Sequence, residues 1–275
     1  MTSRMSSDGS GRIAVSLGPA PIPLAGPLRV RRAATIAGAL RSGLRILDLT
    51  DTPGPATAWE FARDAAAELW TDLTVVVAEA PTGEPGSPAP ARVAVVRPNA
   101  PAPGTGAARN PESGVRFSEL GAAEAGIAAA ASAGARWVAV PGSLLAAPRL
   151  ISLAPLARRA GAELLLTNPH ADGRLDGLWL NDGLGIDSRR THPVDFREIE
   201  RAYAPVLALR FLTESRRRTL PQAAVAFAWA IGAIPSVRFR DLAQVAAFGR
   251  PLEIAPLADA ELERLSTGDL PRRAD

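Results

Sequence analysis

The sequence predicts an α/β fold, a (β/α)8 TIM barrel in which eight parallel strands close on themselves. Three observations predict it. Short apolar runs alternate with Ala-rich stretches of helical period, the pattern of repeated βα units around a parallel sheet. There are eight such runs, the number at which parallel strands close into a barrel. The length, 275 residues, suits a single barrel domain of ~250 residues.

Met1–Gly11 is polar and Ser/Gly-rich, which predicts a flexible lead-in without the apolar stretch of a signal peptide, ahead of one barrel domain over 12–275. Strands are predicted at Ile13–Leu17, Arg45–Leu49, Leu73–Ala78, Arg92–Val96, Val115–Ser118, Arg136–Val140, Glu163–Thr167 and Ser236–Phe239. Helices are predicted at Arg31–Arg41, Thr57–Trp70, Ala122–Ala133, Ser152–Ala160, Asp195–Arg218 with a break at Pro205, Leu220–Ile231, Asp241–Phe248 and Ala258–Leu265. Two connections depart from this alternation, PTGEPGSPAPA after Ala80 and PNAPAPGTGAARNPESG after Arg97. Both are crowded with Pro and Gly, which remove backbone donors and raise chain entropy. Outer helices 3 and 4 are therefore expected to be missing or shortened. The flank they leave is expected to be covered by the loops or by a partner, either a second copy or another protein. Gly104 and Gly106 make a GxG spacing in the second connection but open no helix, so they do not read as a dinucleotide motif. The uncharged span Leu220–Val237 is interrupted by Pro221, Gln222, Gly232 and Pro235. It reads as a buried helix running into a buried strand, so no membrane contact is expected and the protein is placed in the cytoplasm.

Composition excludes several chemistries. There is no cysteine, hence no disulfide, thiolate nucleophile or Cys-ligated metal. There is no lysine either, and all 31 basic residues are arginine. Schiff-base, PLP and P-loop NTPase chemistry all need a lysine amine and are excluded with it. Net charge is only +3, and the pI near 10.6 is high because almost nothing titrates between histidine and arginine. The densest basic run, Arg216-Arg217-Arg218, reads as a solvated helix end, so no nucleic acid is expected as partner. His170, His192 and scattered carboxylates show no metal-ligand spacing, and no metal is expected.

The order of several segments resembles the aldo/keto reductase superfamily. SGLRILDLTDTPG (Ser42–Gly54) resembles the family's second-strand segment, SGVRFSELGAAE its fifth-strand segment, WVAVPGSLLAAP with LAPLARRAGAELLLTNPHADGRLDG its sixth and seventh strands, and TLPQAAVAFAWAIG, with Trp229, the helix before the last strand. The resemblance implies an NADPH-dependent carbonyl reductase whose tyrosine acid is activated by an Asp-paired lysine. Carried over, the aspartate is Asp48, while the tyrosine position is Pro53, the lysine position is Glu79 or Ala80, and the histidine position is Arg97. Among cofactor positions, the Ser-Asn pair reads Ser118-Glu119, the glutamine falls at Ala139 and the stacking aromatic at Thr167. The phosphate loop reads Pro235-Ser236-Val237-Arg238. The loss of acid, activator, amide clamp and stacking ring together argues against ordinary NADPH-dependent reduction. No cofactor is expected to bind, NADPH included, and Arg238 would serve only if it did.

Asp48, Glu79 and Arg97 are expected on adjacent strands at the barrel mouth, with Arg97 either pairing with Asp48 in place of the missing lysine or anchoring an anionic substrate. His170 is the leading lone acid–base candidate, oriented by Asp172; the alternative is an exposed loop histidine. Asp51, Glu119, Ser143, Asn168, Asp172 and Trp179 are expected to line a site for a small-molecule substrate. Three functions follow. The first is a repurposed barrel performing non-redox acid–base chemistry, such as cyclisation, elimination or isomerisation, on a small organic substrate of bacterial specialised metabolism. The second is a catalytically silent partner or scaffold protein, and the third a residual NADPH-dependent carbonyl reductase.

Overall fold

A computed structural model of the chain describes residues 12–22, 25–78, 92–98, 113–176, 203–214, 217–248 and 254–268. Eight parallel strands form a closed barrel in sequence order: β1 (Ala14–Ser16), β2 (Ile46–Asp48), β3 (Thr74–Val77), β4 (Arg92–Pro98), β5 (Ser113–Arg116), β6 (Trp137–Pro141), β7 (Glu163–Thr167) and β8 (Ala233–Val237). β1 pairs with both β2 and β8, which completes the ring. The helices are α1 (Pro27–Arg41), α2 (Pro55–Ala66), α3 (Leu120–Ser132), α4 (Ala147–Arg159), α5 (Leu220–Ala230), α6 (Leu242–Phe248) and α7 (Asp259–Thr267). Every predicted strand is found, and most boundaries move by one to three residues. Of the predicted helix over 195–218, residues 203–214 and 217–218 are described; 203–208 are α-helical, with Pro205 inside the helical run, and Leu209–Leu212 form a 3-10 turn. The lead-in before residue 12 and both Pro/Gly-rich connections, and with them the expectation about helices 3 and 4 and their flank, lie outside the described residues as well.

Period-two burial separates two apolar layers. Ala14, Ile46, Val76, Trp137, Ala139, Leu165 and Ile234 fill the barrel interior, where the single large indole is accommodated by alanines on β1 and β6. Alternate residues, among them Val15, Leu47, Val75, Val115, Val138 and Leu164, face the helices and join the outer clusters. Helix starts carry legible stop and start chemistry. α5 opens with a capping box in which Thr219 and Gln222 satisfy each other's backbone donors, and α1, α2 and α4 each have Pro in the first turn. The uncharged Leu220–Val237 span is indeed a buried helix followed by a buried strand, and no described helix is long and apolar enough to cross a membrane. The arginine run is not simply solvated. Arg218 is buried, donates to the carbonyls of Ala255 and Pro256, and pairs with Glu261 of α7. It ties the last helix to the barrel through its two terminal nitrogens, since a buried guanidinium needs a carboxylate and carbonyl acceptors to offset its lost hydration.

Candidate functional site

The inward series ends in polar residues at the carboxyl ends of the strands, as a barrel of this type requires of its functional face. Ser16 on β1 is the register partner of Asp48 on β2, and Ser236 on β8 is level with Thr167 on β7. Asp48 is only 2% exposed. Its Oδ1 accepts the Thr50 backbone N–H at 3.0 Å and the Thr50 hydroxyl at 2.7 Å, and its Oδ2 accepts the Ser236 hydroxyl. Burial raises its pKa above the ordinary 3.8, outweighing these hydrogen bonds, which act to lower it; the charge of Asp51 adds to the rise. The carboxyl therefore holds a proton more readily than an ordinary aspartate.

Arg97 was expected either to pair with Asp48 or to anchor an anionic substrate; its backbone is in register with Val115 of β5, and its side chain lies outside the described residues. The described partners of Asp48 are two hydroxyls and a backbone amide. Arg116 of β5 reaches the β2 side. It donates to the Thr50 carbonyl at 3.0 Å and pairs with Asp51, and so bridges β5 to the turn after β2. Asp48, Asp51 and Arg116 are thus brought together through Thr50.

The other predicted residues are scattered over three loops. Glu119 is exposed in the turn that begins α3, where its carbonyl accepts the Ala123 amide. Ser143 is buried after β6 and caps a short helical turn by accepting the Leu145 amide at 3.3 Å. Asn168 and Asp172 are exposed and joined to each other, the Asn168 side chain accepting the Asp172 amide at 2.7 Å. Asn168, Ala171 and Asp172 all have left-handed φ, of 62°, 52° and 56°. Such strain in non-glycine residues persists only where the surroundings enforce it. His170 is 7% exposed, not an open loop histidine. The carboxylate described beside it is that of Asp176, not Asp172, with its Oδ1 3.0 Å from His170 Nδ1 and its Oδ2 3.6 Å from Arg240. The His170–Asp176 contact is off line for a hydrogen bond, and His170 Nε2 is buried without a partner among the described residues. The imidazole lies 5.7 Å from the Phe248 ring. Glu79 and Trp179 lie outside the described residues.

Beside the mouth, a cleft of about 490 Å³ opens between α1 and the ends of β1 and β8. Ser16 forms part of its inner wall, and Arg31, Arg32, Arg238 and Arg240 are its charged lining residues. Arg32 clamps the turn after β1 through the carbonyls of Leu17, Ala20 and Pro21. Burial and the charge of Arg238 both lower the pKa of Arg32. The exposed Arg238 side chain lies across Gly18, where an added Cβ would stand 2.7 Å from Arg238 Cδ. Sequence reasoning missed Thr50, Arg116, Asp176, Arg32 and Ser236 as a partner of Asp48. Counting strand parity from Asp48 would have placed Arg116 and Ser236 inward, whereas no local pattern signals Asp176 or Arg32.

No protein-family model matches the sequence, and no curated protein does. Solved structures do. A glycerol dehydrogenase from Gluconobacter oxydans aligns over 97% of this chain and 94% of its own at 18% identity, with a TM-score of 0.60. The holo form of an aldo-keto reductase from Bacillus halodurans aligns over 96% and 93% at 14% identity, with a TM-score of 0.59. An aldo-keto reductase from Klebsiella pneumoniae in complex with NADPH aligns over 96% and 92% at 16% identity, with a TM-score of 0.57. Two of these structures, one a holo form and one an NADPH complex, overturn the expectation that no cofactor, NADPH included, goes with this barrel. With eight parallel strands closed in sequence order and these three structures matched over nearly their whole length, the chain has the aldo-keto reductase fold.

Proposed function

We propose that this protein binds a nicotinamide dinucleotide of the NADPH kind across its barrel mouth and uses Asp48 to supply a proton to a small carbonyl substrate there. The observation that carries the reading is Asp48 itself, a carboxyl buried at the mouth whose described partners are hydroxyls and an amide, with its pKa raised by burial. The residues present fit the phosphate half of the dinucleotide. Arg238 stands exposed at the end of β8 beside Gly18, and its charge adds to that of Arg32. When bound, the dinucleotide supplies a hydride.

The chain's own part is the proton. In the structure the Thr50 and Ser236 hydroxyls both donate to Asp48. Once Asp48 is protonated, the hydroxyl that faces the proton turns to accept it and gives its own proton to the substrate oxygen, while Arg116 holds the Thr50–Asp51 turn in place. A second reading rests on Pro53 at the position matched to the family's tyrosine and on the absence of lysine. In it the dinucleotide is held but not consumed, and the barrel performs acid–base chemistry alone or serves as a silent partner protein.

Titration of reduced-nicotinamide fluorescence with the full chain tests the binding. Saturable binding is expected, with Arg238→Ala weakening it by about tenfold, the worth of one charge-assisted contact. Asp48→Asn should leave binding intact and lower kcat on a carbonyl substrate by about 10²–10⁴, the range for loss of a positioned acid. A flat titration overturns the proposal, and tight binding without nicotinamide oxidation across a panel of aldehydes and ketones selects the second reading.

A further inference from the structure

We propose, resting on the reading of Asp48 as the acid, that Ser236 is the catalytic hydroxyl of the mouth and carries the proton to a substrate oxygen seated between the hydroxyls of Ser236 and Thr167. The two oxygens of Asp48 are not equivalent. Oδ1 accepts the Thr50 backbone N–H at 3.0 Å and the Thr50 hydroxyl at 2.7 Å, which occupies both of its lone pairs. A backbone N–H only donates, so Oδ1 stays an acceptor whether or not the carboxyl is protonated. Oδ2 has one described partner, the Ser236 hydroxyl. A hydroxyl both donates and accepts, so it turns to receive a proton held on Oδ2. The two Thr50 bonds therefore place the acidic proton on Oδ2, facing Ser236 and not Thr50.

Strand register supplies the seat. Asp48 and Ser236 lie on β2 and β8 with β1 between them. The residue of β1 level with Ser236 is Ala14, whose methyl group leaves the two side chains room to meet. On its other side Ser236 is level with Thr167 of β7. Ile234 and Leu165, two residues earlier on the same strands, belong to the barrel interior, so Ser236 and Thr167 both face inward. Neighbouring strands lie about 4.8 Å apart, close enough for one oxygen to accept from both hydroxyls. The Thr167 hydroxyl has no hydrogen-bond partner among the described residues, and the Ser236 hydroxyl accepts from none. Both residues are buried, so the seat takes the narrow carbonyl end of a substrate and leaves the rest at the rim. In the step, the Oδ2–H bond breaks and its proton joins Ser236 Oγ, while the proton that Ser236 held passes to the carbonyl oxygen. The hydride supplied by the dinucleotide completes the alcohol. Asp48 is left as a carboxylate accepting the Ser236 hydroxyl, the arrangement seen in the structure, and water restores its proton.

Infrared difference spectra of the full chain without dinucleotide, parent against Asp48→Asn as the pH is lowered, isolate the C=O stretch of protonated Asp48. With the proton on Oδ2 the double bond is to Oδ1. Thr50→Val, which takes a donor from Oδ1, is then expected to raise that frequency more than Ser236→Ala does. The reverse order puts the proton on Oδ1 and overturns the inference. A band that appears only at the pH of ordinary carboxyls defeats Asp48 as the acid, and with it the reading beneath the inference. Turnover of a carbonyl substrate tests the seat. Ser236→Ala is expected to lower kcat by about 10²–10⁴, Thr50→Val by less than that, and Thr167→Val by about 10²–10³, the effect of losing one donor to a developing oxyanion. Circular dichroism checks that each variant is folded. Parental kcat in Ser236→Ala or Thr167→Val overturns the inference while leaving the reductase reading in place; a parent chain that turns over no carbonyl overturns that reading and the seat together.

Discussion

Asp48 combines two opposing demands. Three hydrogen bonds favour its carboxylate form, and burial favours its acid form; burial prevails. Because the folded pKa lies above the unfolded one, the folded state takes up a proton more readily than the unfolded chain does. The resulting stability is fully present below the unfolded pKa of about 3.9 and is lost as pH rises through the folded pKa. Asp48→Asn mimics the protonated acid, since its amide oxygen accepts from Thr50 and its NH₂ donates to Ser236. Urea midpoints measured across pH are therefore expected to converge for the two proteins at acid pH, with the variant becoming the more stable as pH rises. Parallel midpoints over the whole range would show that Asp48 is ionised like any surface aspartate.

Elements act on the site through connections that do not follow sequence proximity. β5 reaches β2 by one side chain, Arg116, which is about 29% exposed and holds both the Thr50 carbonyl and Asp51. Arg116→Met keeps the bulk and removes the bridge. The expected cost is about 1 kcal/mol of stability, the order of a partly exposed charge-assisted bond, together with a larger fall in kcat than rise in KM, as the turn carrying Thr50 loosens. A variant with full kcat would reduce Arg116 to a surface ion pair. The strands were legible because period-two apolar runs state which residues are buried, but helix starts were read late, at Arg31 and Ser152 instead of Pro27 and Ala147, because the opening prolines were passed over. The bridge was not legible, since Arg116 and Asp51 are 65 residues apart and only closure of the barrel brings them together. The same holds for His170. Its neighbour Asp172 looked like the orienting acid, but Asp172 is exposed in the left-handed turn at Ala171–Asp172, and the carboxylate beside the imidazole is that of Asp176.

At the scale of the whole molecule, the chain has the barrel of the aldo-keto reductases at only 14–18% identity with those solved structures. Barrel closure tolerates this because it needs alternating burial and interior volume rather than particular residues. The order of matched segments was therefore enough to read the fold. It was not enough to read the ligand. Losses at Pro53, Ala139 and Thr167 pointed away from a cofactor, yet the arginines of the cleft are assembled from α1 and β8, which are some 200 positions apart in sequence and join only in three dimensions. The central claim, a phosphorylated dinucleotide lying from the arginine cleft to the mouth above Asp48, is tested most directly by a crystal structure of the chain grown with NADPH. Density is expected for the ribose phosphate against Arg238 and for the nicotinamide at the mouth formed by Asp48, Thr50 and Ser236. Crystals grown at saturating NADPH with an empty mouth, or with the dinucleotide bound away from the β1–β8 rim, would contradict it.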